Sequence, residues 1–415
     1  MQPDNGDITT LLIDYASATP PQSARDVMRL SVLDWAACGI AGAAQGEFSN
    51  WARSLGTTGP STGFDGIARS MPDAALVNGT LSHALDYDDT HFDHIGHPSV
   101  VVCSAALAVG EAQDATLASV IDAALVGAEA SIATGLWLGR AHYQIGYHQT
   151  ATSGAFGATI AAARLLNLTP AQTRHAIGLC STMASGLKSQ FGTMGKPLNA
   201  GLAARTGVEA ALWAQTGMTA APDGLAGPLG FGDTHHGAGD PVTLDWRMPR
   251  VSHKFHACCH GLHACLEAVR DVPLADARQI TVHTHPRWLT VCNQPAPETG
   301  LGAKFSYAHV LAMTASGHDT GDIAAFSDTC ARDAGMVRFR HCVQVHADPQ
   351  LTEMQARVVV DGTTYRHDLD TPLSLDQRTA RLMQKARALV GARADGIWAA
   401  ITKGDRAGLV QLLTS

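Results

Sequence analysis

The feature that most constrains this chain is a long series of small and apolar residues with helical spacing. Between about residues 8 and 218, segments such as DVMRLSVLDWAACGIAGAA and AGLAARTGVEAALWAQTG are rich in Ala, Gly and Leu and are typical of buried helices. TPAQTRHAIGLC opens with Thr169, Pro170 and Gln172, which supply an N-cap, a first-turn proline and a capping-box partner. We therefore predict an almost wholly helical first half in which small residues let helices approach closely.

The pattern changes after about residue 247. QITVHTH alternates apolar and polar residues as a half-buried strand does, and MVRFRHCVQVH does so less cleanly. ARVVVDGTTYRHDL places Asp361 and Gly362 between two β-prone runs, which indicates a hairpin. The last stretch returns to helical spacing. We predict a mainly α protein with an α+β part: a discontinuous all-helical domain formed by residues 1–247 and 374–415, and a smaller α+β domain formed by residues 248–373.

Composition excludes several classes of function. Charged residues make up 16% of the chain, the formal net charge is −8, and five like charges never occur in a row. Binding to nucleic acid or to an anionic membrane surface is therefore not expected. The longest apolar segment, SVIDAALVGAEASIATGLWLG, contains Asp122 and Glu129, which are costly in lipid. We interpret it as a buried core helix rather than a membrane span.

The cysteines and the N-terminus bear on the cellular compartment. Nine cysteines are scattered along the chain, an odd number that does not favour a disulfide framework. The first ten residues, MQPDNGDITT, have neither the basic nor the apolar region of a signal peptide. A cytoplasmic protein is the expectation from these two observations.

Four basic residues come shortly before predicted helices. His97 and Lys196 each precede a proline, which favours an extended residue followed by a helix start. His148 and Lys254 also lie ahead of helical patterns. Helix N-termini attract anions, by about 0.3–1 kcal/mol each. Four such positions in one chain indicate a receptor for a small polyanion, although spacing alone does not show that they converge.

The segment SHALDYDDTHFDHIGHPS holds four aspartates and four histidines, which could either ligate a metal or transfer protons. HKFHACCHGLHAC adds further histidines and cysteines. However, the chain has no H-E-x-x-H motif and no C-x₂-C pair opposite a second pair. We therefore favour proton transfer and predict neither a metal nor another cofactor.

These segments also resemble a known family. HALDYDDTHFDHIGHPS is similar to the signature H-A-x-D-[FY]-D-D-[TS]…H-P-S of the MmgE/PrpD family, which includes 2-methylcitrate dehydratases, cis-aconitate decarboxylases and iminodisuccinate epimerases. GYHQTATSGAFGA, GTMGKPLNAGLAARTGVEAA and HKFHACCHGLHA resemble three further blocks of the family. The resemblance covers nearly the whole chain. It implies a large helical domain, a smaller α+β lid domain, a site between the two, a homodimer and metal-free chemistry.

The resemblance also implies which residues form the site. Asp86 and Thr90 would line the pocket, and the remaining members would be His97, His148, Lys196 and Lys254. The family block F-S-x-x-Y departs here: Phe305 and Ser306 match, but the tyrosine position is His309.

We therefore expect a cofactor-independent lyase, of dehydratase type, that acts on a small di- or tricarboxylate. Lys196 and Lys254 would clamp carboxylates, and His97 and His148 would form an acid/base pair. His309 would act as a second proton donor in place of tyrosine. Two alternatives stay open: an epimerase or isomerase that uses the same pocket, and a non-catalytic protein that binds carboxylates.

Overall fold

The computed structural model describes residues 7–56 and 58–414, which form two compact units. The first unit contains the residues up to 253 and those from 390 onwards, and the second unit contains residues 254–389. Sequence analysis placed the two boundaries at 247/248 and 373/374, so both divisions fall later in the chain than expected.

The first unit is built almost wholly from helices, as the spacing of small and apolar residues predicts. Two short strands, β1 (Ser61–Thr62) and β2 (Ala68–Arg69), pair antiparallel within it. Its helices before residue 254 are α1 (Ile8–Ser17), α2 (Gln22–Ala43), α3 (Gly46–Ser54), α4 (Met71–His83), α5 (Pro98–Ala112), α6 (Leu117–Ile145), α7 (Gln149–Leu165), α8 (Pro170–Ser181), α9 (Gly195–Gln215) and α10 (Phe231–Thr234).

Local signals placed several of these elements correctly. Helix α8 begins at Pro170, and the predicted capping box forms between Thr169 and Gln172. Helix α6 has the length and composition of a membrane span, but 83% of its most apolar window is buried inside the fold. The carboxylate of Glu129 in this helix accepts hydrogen bonds from the backbone N–H groups of Arg247 and Met248. These contacts agree with the interpretation of α6 as a core helix.

Glycines bring three helices of the first unit into backbone contact. A methyl group added at Gly79 in α4 would lie 2.8 Å from the Cα of Gly201 in α9. One added at Gly207 in α9 would lie 2.5 Å from the backbone nitrogen of Thr159 in α7. Because side chains are absent at these points, the end of α4 and the beginnings of α7 and α9 can meet.

The second unit combines short helices with one sheet of strand order β4–β3–β5–β6. Strands β3 and β4 are parallel, and the other pairs are antiparallel. The predicted hairpin is present, with Asp361 and Gly362 both at positive φ between β5 and β6. The strands are β3 (Ile280–Thr284), β4 (Val343–Ala347), β5 (Gln355–Val360) and β6 (Thr363–Asp368).

The helices of the second unit are mostly short. They are α11 (His263–Ala268), α12 (Pro286–Val291), α13 (Gly300–Ala303), α14 (Tyr307–Ala315), α15 (Asp328–Arg332), α16 (Ala334–Arg340) and α17 (Leu375–Val390). Helices α18 (Arg393–Lys403) and α19 (Arg406–Thr414) return to the first unit.

Two expectations for this region need correction. MVRFRHCVQVH is strand only from Val343 onwards, because its first half forms helix α16. Helix α17 was expected in the helical domain, but it belongs to the second unit. Arg381 in α17 forms an ion pair with Glu267 and stacks 3.9 Å from the centre of the Phe255 ring, which ties the helix to that unit.

The close contact between α4 and α9 is testable by adding a methyl group. In Gly201→Ala the new Cβ would overlap the backbone carbonyl oxygen of Leu76, so a backbone must shift. Overpacking of this kind costs about 1–3 kcal/mol in the free energy of unfolding, measured by urea denaturation. The control is Gly46→Ala in the first turn of α3, where no atom lies within 4 Å of the new Cβ. Equal stability of the two variants would contradict close α4–α9 packing.

Candidate active site

The site is built around the loop of residues 84–97, which joins α4 to α5. Asp86 in this loop adopts φ of +50°, a left-handed conformation that turns the chain directly after α4. Thr90 pairs with Ser252 through two backbone hydrogen bonds of 2.9 and 2.7 Å. The carboxylate of Asp89 accepts hydrogen bonds from the backbone N–H and the hydroxyl of Ser99, at 3.3 and 2.5 Å. The first pair of contacts ties the loop to Ser252, and the second ties it to the start of α5.

A single buried carboxylate, that of Asp88, lies between two imidazoles. Its oxygens lie 2.9 Å from Nδ1 of His83 and 2.8 Å from Nδ1 of His97. Burial opposes ionisation of this carboxyl group, but the two imidazoles outweigh it and hold the pKa of Asp88 well below its usual range. An ionised carboxylate only accepts hydrogen bonds, so His83 presents its Nδ1–H to Asp88, whereas His97 lies at ion-pair distance from the same carboxylate.

Asp86 carries the second carboxylate of the site and is more exposed. Its Oδ2 lies 2.7 Å from Nζ of Lys196, and its Oδ1 lies 3.5 Å from Nε2 of His97. The Lys196 ammonium also lies 5.2 Å from the centre of the Phe191 ring. The side chain of Asp86 is 45% exposed and that of Lys196 is 15% exposed. Asp86 is therefore the most exposed of the clustered side chains, and Lys196 and His97, at 15% and 12%, are partly exposed beside it.

The position of Lys196 differs in one respect from the prediction. It was expected in front of a helix, but α9 begins at Gly195, so Lys196 lies in the first helical turn. Proline is tolerated there because its missing N–H would have had no partner within the helix. Pro197 therefore does not mark the start of α9.

His148 is buried and is the N-cap residue of α7. Its ring lies 5.9 Å from that of His83 and 5.0 Å from that of Phe191, measured between ring centres. Burial, and then the positive charges of His83, Lys196 and His97, hold the pKa of His148 well below its usual range. His148 is therefore neutral at physiological pH.

The structure thus brings four of the predicted residues together within the first unit. Their side chains meet either directly or through His83, and they are Asp86, His97, His148 and Lys196. Thr90 belongs to the same loop.

The other two predicted residues, Lys254 and His309, belong to the second unit. Lys254 is buried but does not precede a helix directly, because the next helical turn starts only at His260. His309 is buried in α14, and its Nε2 lies 3.9 Å from Sγ of Cys330. Burial, followed by the charge of Arg340, lowers the pKa of His309 to about 4. The roles of Lys254 and His309 stay predictions.

Sequence reasoning missed three members of the cluster. His83 and Asp88 were not assigned to the site, although both are buried in contact with His97. Asn199 was not considered at all, yet its amide contacts His148 at 3.2 Å. One signal could have identified Asn199, because it follows Lys196 by three residues and therefore lies on the same face of α9.

The same cluster must be tested as a possible metal site. Within residues 7–56 and 58–414, one group of side chains has ligand atoms that all lie within 4.8 Å of one another: His83, Asp86, Asp88 and His97. Lys196 already places a positive charge 2.7 Å from Asp86, and Asp88 is already in contact with two imidazoles. A cation would have to displace these partners, so the arrangement favours proton transfer over metal binding.

The chain matches a known protein family and several known proteins. The MmgE/PrpD N-terminal domain family matches residues 6–243, and the MmgE/PrpD C-terminal domain family matches residues 256–396. A cis-aconitate decarboxylase from Aspergillus terreus is 26% identical over 374 residues, which cover 78% of this chain and 75% of the relative. The cis-aconitate decarboxylase-like protein oryM from Aspergillus oryzae is 27% identical, with coverages of 74% and 72%. Human cis-aconitate decarboxylase is 31% identical over 164 residues, 38% of this chain and 34% of that protein.

The buried carboxyl group of Asp89 generates a prediction on stability. Burial, and next the carboxylate of Asp34, raise the pKa of Asp89 to about 7. Between pH 7 and about 3.9, the usual pKa of aspartate, the folded protein therefore keeps a proton on Asp89 that the unfolded chain has already lost. The stability contributed by protonated Asp89 is complete below that range and is lost as the pH rises through 7.

We expect Asp89→Asn to lose less unfolding free energy than the parent protein when the pH rises from about 5 to 8. Urea denaturation at several pH values measures this difference. Asp271→Asn is the control, because the Asp271 side chain is 86% exposed. A parent and an Asp89→Asn variant with parallel pH curves would show that Asp89 ionises normally.

Proposed function

Because the chain belongs to the MmgE/PrpD family, we propose that it is a lyase that acts on a small tricarboxylate by proton transfer at a carbon next to a carboxylate. The observation that carries the proposal is the cluster of Asp86, His97, His148 and Lys196. It combines one accessible cation with two imidazoles that differ in their surroundings. The named activity of relatives that align with about three quarters of this chain supports the substrate class.

Lys196 is the proposed contact for a substrate carboxylate. Its ammonium pairs with the half-exposed Asp86, and an arriving carboxylate can compete for that ammonium. Negative charge that develops on the substrate during the reaction then lies near a fixed cation. Such preorganised charges account for a large share of enzymatic rate enhancement.

His97 and His148 are the proposed proton carriers. In decarboxylation the electron pair of the breaking C–C bond stays on carbon, CO₂ leaves, and an imidazole donates the proton that completes the product. In dehydration one group takes a proton from carbon, while an acid protonates the departing hydroxyl group to release water. Both reactions pass through negative charge next to a carboxylate, so one cluster can serve either.

We take decarboxylation of cis-aconitate as the first activity to test, since the relatives carry that name. Sequence analysis favoured a dehydratase, which remains an outcome of the same test. Epimerisation of a dicarboxylate is the second candidate. It is favoured by His309, which stands at the position where the resembled dehydratases and decarboxylases have tyrosine.

A substrate panel in D₂O, followed by proton NMR, tests the proposal. It contains cis-aconitate, citrate, methylcitrate, malate, tartrate and aspartate-derived acids. Loss of CO₂ with one deuterium incorporated supports decarboxylation, and formation of an alkene with loss of water supports dehydration. Deuterium exchange without a net change of composition supports epimerisation. Binding without exchange or turnover of any member would leave a carboxylate-binding protein and contradict the enzyme.

Three further parts of the proposal come from the resemblance. We propose that Lys254 contributes a second carboxylate contact and that His309 replaces the family tyrosine. We also propose a homodimer, for which light scattering should give about twice the chain mass of 43.4 kDa.

Replacing Lys196 tests its role in the reaction. A hydrogen bond to a charged group contributes about 1.5–3 kcal/mol. If this contact strengthens as charge develops, Lys196→Ala should lower kcat/KM by about 10- to 100-fold, with little change in stability. The measurement is steady-state kinetics with the best substrate of the panel.

Lys188→Ala is the matched control. The Lys188 ammonium donates to the carbonyl oxygen of Tyr143 at 3.1 Å and lies 3.8 Å from the centre of that ring. Both of these contacts are with Tyr143, which is not a member of the cluster, so loss of Lys188 should leave kcat/KM within about twofold of the parent. Greater damage from Lys188→Ala than from Lys196→Ala would mean that the wrong lysine is assigned to the substrate.

Metal independence is a separate prediction. We expect turnover to survive prolonged dialysis against EDTA, because Lys196 occupies the position next to Asp86 that a cation would need. Activity before and after chelation is compared, and single divalent ions are then added back. Loss of turnover that one specific ion restores would establish a metal site at the cluster.

A further inference from the structure

The amide of Asn199 determines which nitrogen of His148 carries the proton. Nδ2 of Asn199 lies 3.2 Å from the carbonyl oxygen of Leu187 and 3.2 Å from Nδ1 of His148. A carbonyl oxygen only accepts hydrogen bonds, so the amide group that faces it is the NH₂ group. The second hydrogen of that NH₂ group points to Nδ1 of His148, which must then offer a lone pair. In the neutral ring, the proton is on Nε2.

We propose that Asn199 is a positioning residue that holds His148 as the neutral Nε2–H tautomer, so that His148 serves the reaction as a neutral hydrogen-bond donor and His97 carries the mobile proton. The part that concerns catalysis rests on the proposed function. The tautomer itself does not, because it follows from contacts within the first unit.

The surroundings of His148 favour a neutral ring. His83 from α4, His97 from the loop of residues 84–97, and Lys196 from α9 all disfavour a positive charge on His148, and they outweigh Asp86, which favours one. His148 is also the N-cap of α7, where the helix dipole disfavours a cation. Buried neutral imidazoles of this kind can act as electrophiles towards a developing oxyanion.

His97 has the opposite surroundings. Its Nδ1 lies 2.8 Å from Asp88, and its Nε2 lies 3.5 Å from Asp86, so a carboxylate faces each ring nitrogen. Two carboxylates stabilise an imidazolium, whereas an amide donor at Nδ1 excludes one. The two histidines are therefore not equivalent. The side chains around His97 favour a charged ring, and those around His148 favour a neutral ring.

The tautomer can be measured in the free protein by nitrogen NMR with ¹⁵N-labelled histidine, and the His148 signals are assigned by their loss in His148→Ala. We expect Nδ1 at the chemical shift of an unprotonated ring nitrogen and Nε2 at that of a protonated one, unchanged between about pH 5 and 8. A protonated Nδ1, or titration within that range, would overturn the proposal. No substrate is present, so this result is independent of whether cis-aconitate is turned over.

Asn199→Asp tests the consequence. A carboxylate accepts a hydrogen bond where the amide donated one, so the proton should move to Nδ1 and leave Nε2 without a hydrogen to donate. We expect kcat to fall about 10²-fold or more, with KM changed much less, and the nitrogen shifts of His148 to exchange. Unchanged shifts with unchanged kcat would contradict the role of Asn199.

Asn78→Asp is the matched control for placing a carboxylate in the helical unit. Asn78 is buried in α4, where its Oδ1 accepts from the backbone N–H of Phe64 at 2.8 Å and its Nδ2 donates to the carbonyl oxygen of Thr62 at 3.0 Å. The Asn78→Asp variant should alter stability without exchanging the His148 shifts.

If Asn199→Asp fails to fold, His148→Gln and His148→Glu replace it. The neutral amide donor of glutamine should keep more kcat than the glutamate carboxylate, and the reverse order would overturn the proposal.

Discussion

The buried carboxylate of Asp88 connects the two ends of the loop on which the site is built. It contacts His83 at the end of α4 and His97 directly before α5. One negative charge inside the helical unit is stable because two imidazoles are oriented towards it. The same contacts orient His97, whose other nitrogen faces Asp86. The position of the accessible Asp86–Lys196 pair therefore depends on a carboxylate that a substrate does not reach.

This arrangement requires three helices to approach more closely than ordinary side chains allow. Gly79 and Gly201 bring α4 against α9, and Gly207 brings α9 against α7. As a result His83, His148 and Lys196, which are far apart along the chain, lie at neighbouring helix ends. The composition of the helical half and the geometry of the site have one physical origin, because only small residues permit these contacts.

The two imidazoles of the site, His97 and His148, illustrate how surroundings differentiate identical side chains. His97 faces carboxylates, whereas His148 faces cations, a helix N-terminus and an amide donor. A reaction that removes and returns protons near a carboxylate benefits from two groups of different proton affinity. The family to which the chain belongs supplies the chemical class, and these contacts supply the proposed division of roles.

The sequence by itself determined the local elements. The capping box at Thr169, the hairpin at Asp361 and the helix start after His97 follow from short-range sterics and hydrogen bonding. Lys196 shows the limit of such rules, because a proline within a first helical turn looks the same in sequence as one that starts the turn. Asn199 contacts His148 across 51 positions of the chain. Only helix packing decides such a contact, since no local pattern specifies which distant side chain will face an imidazole.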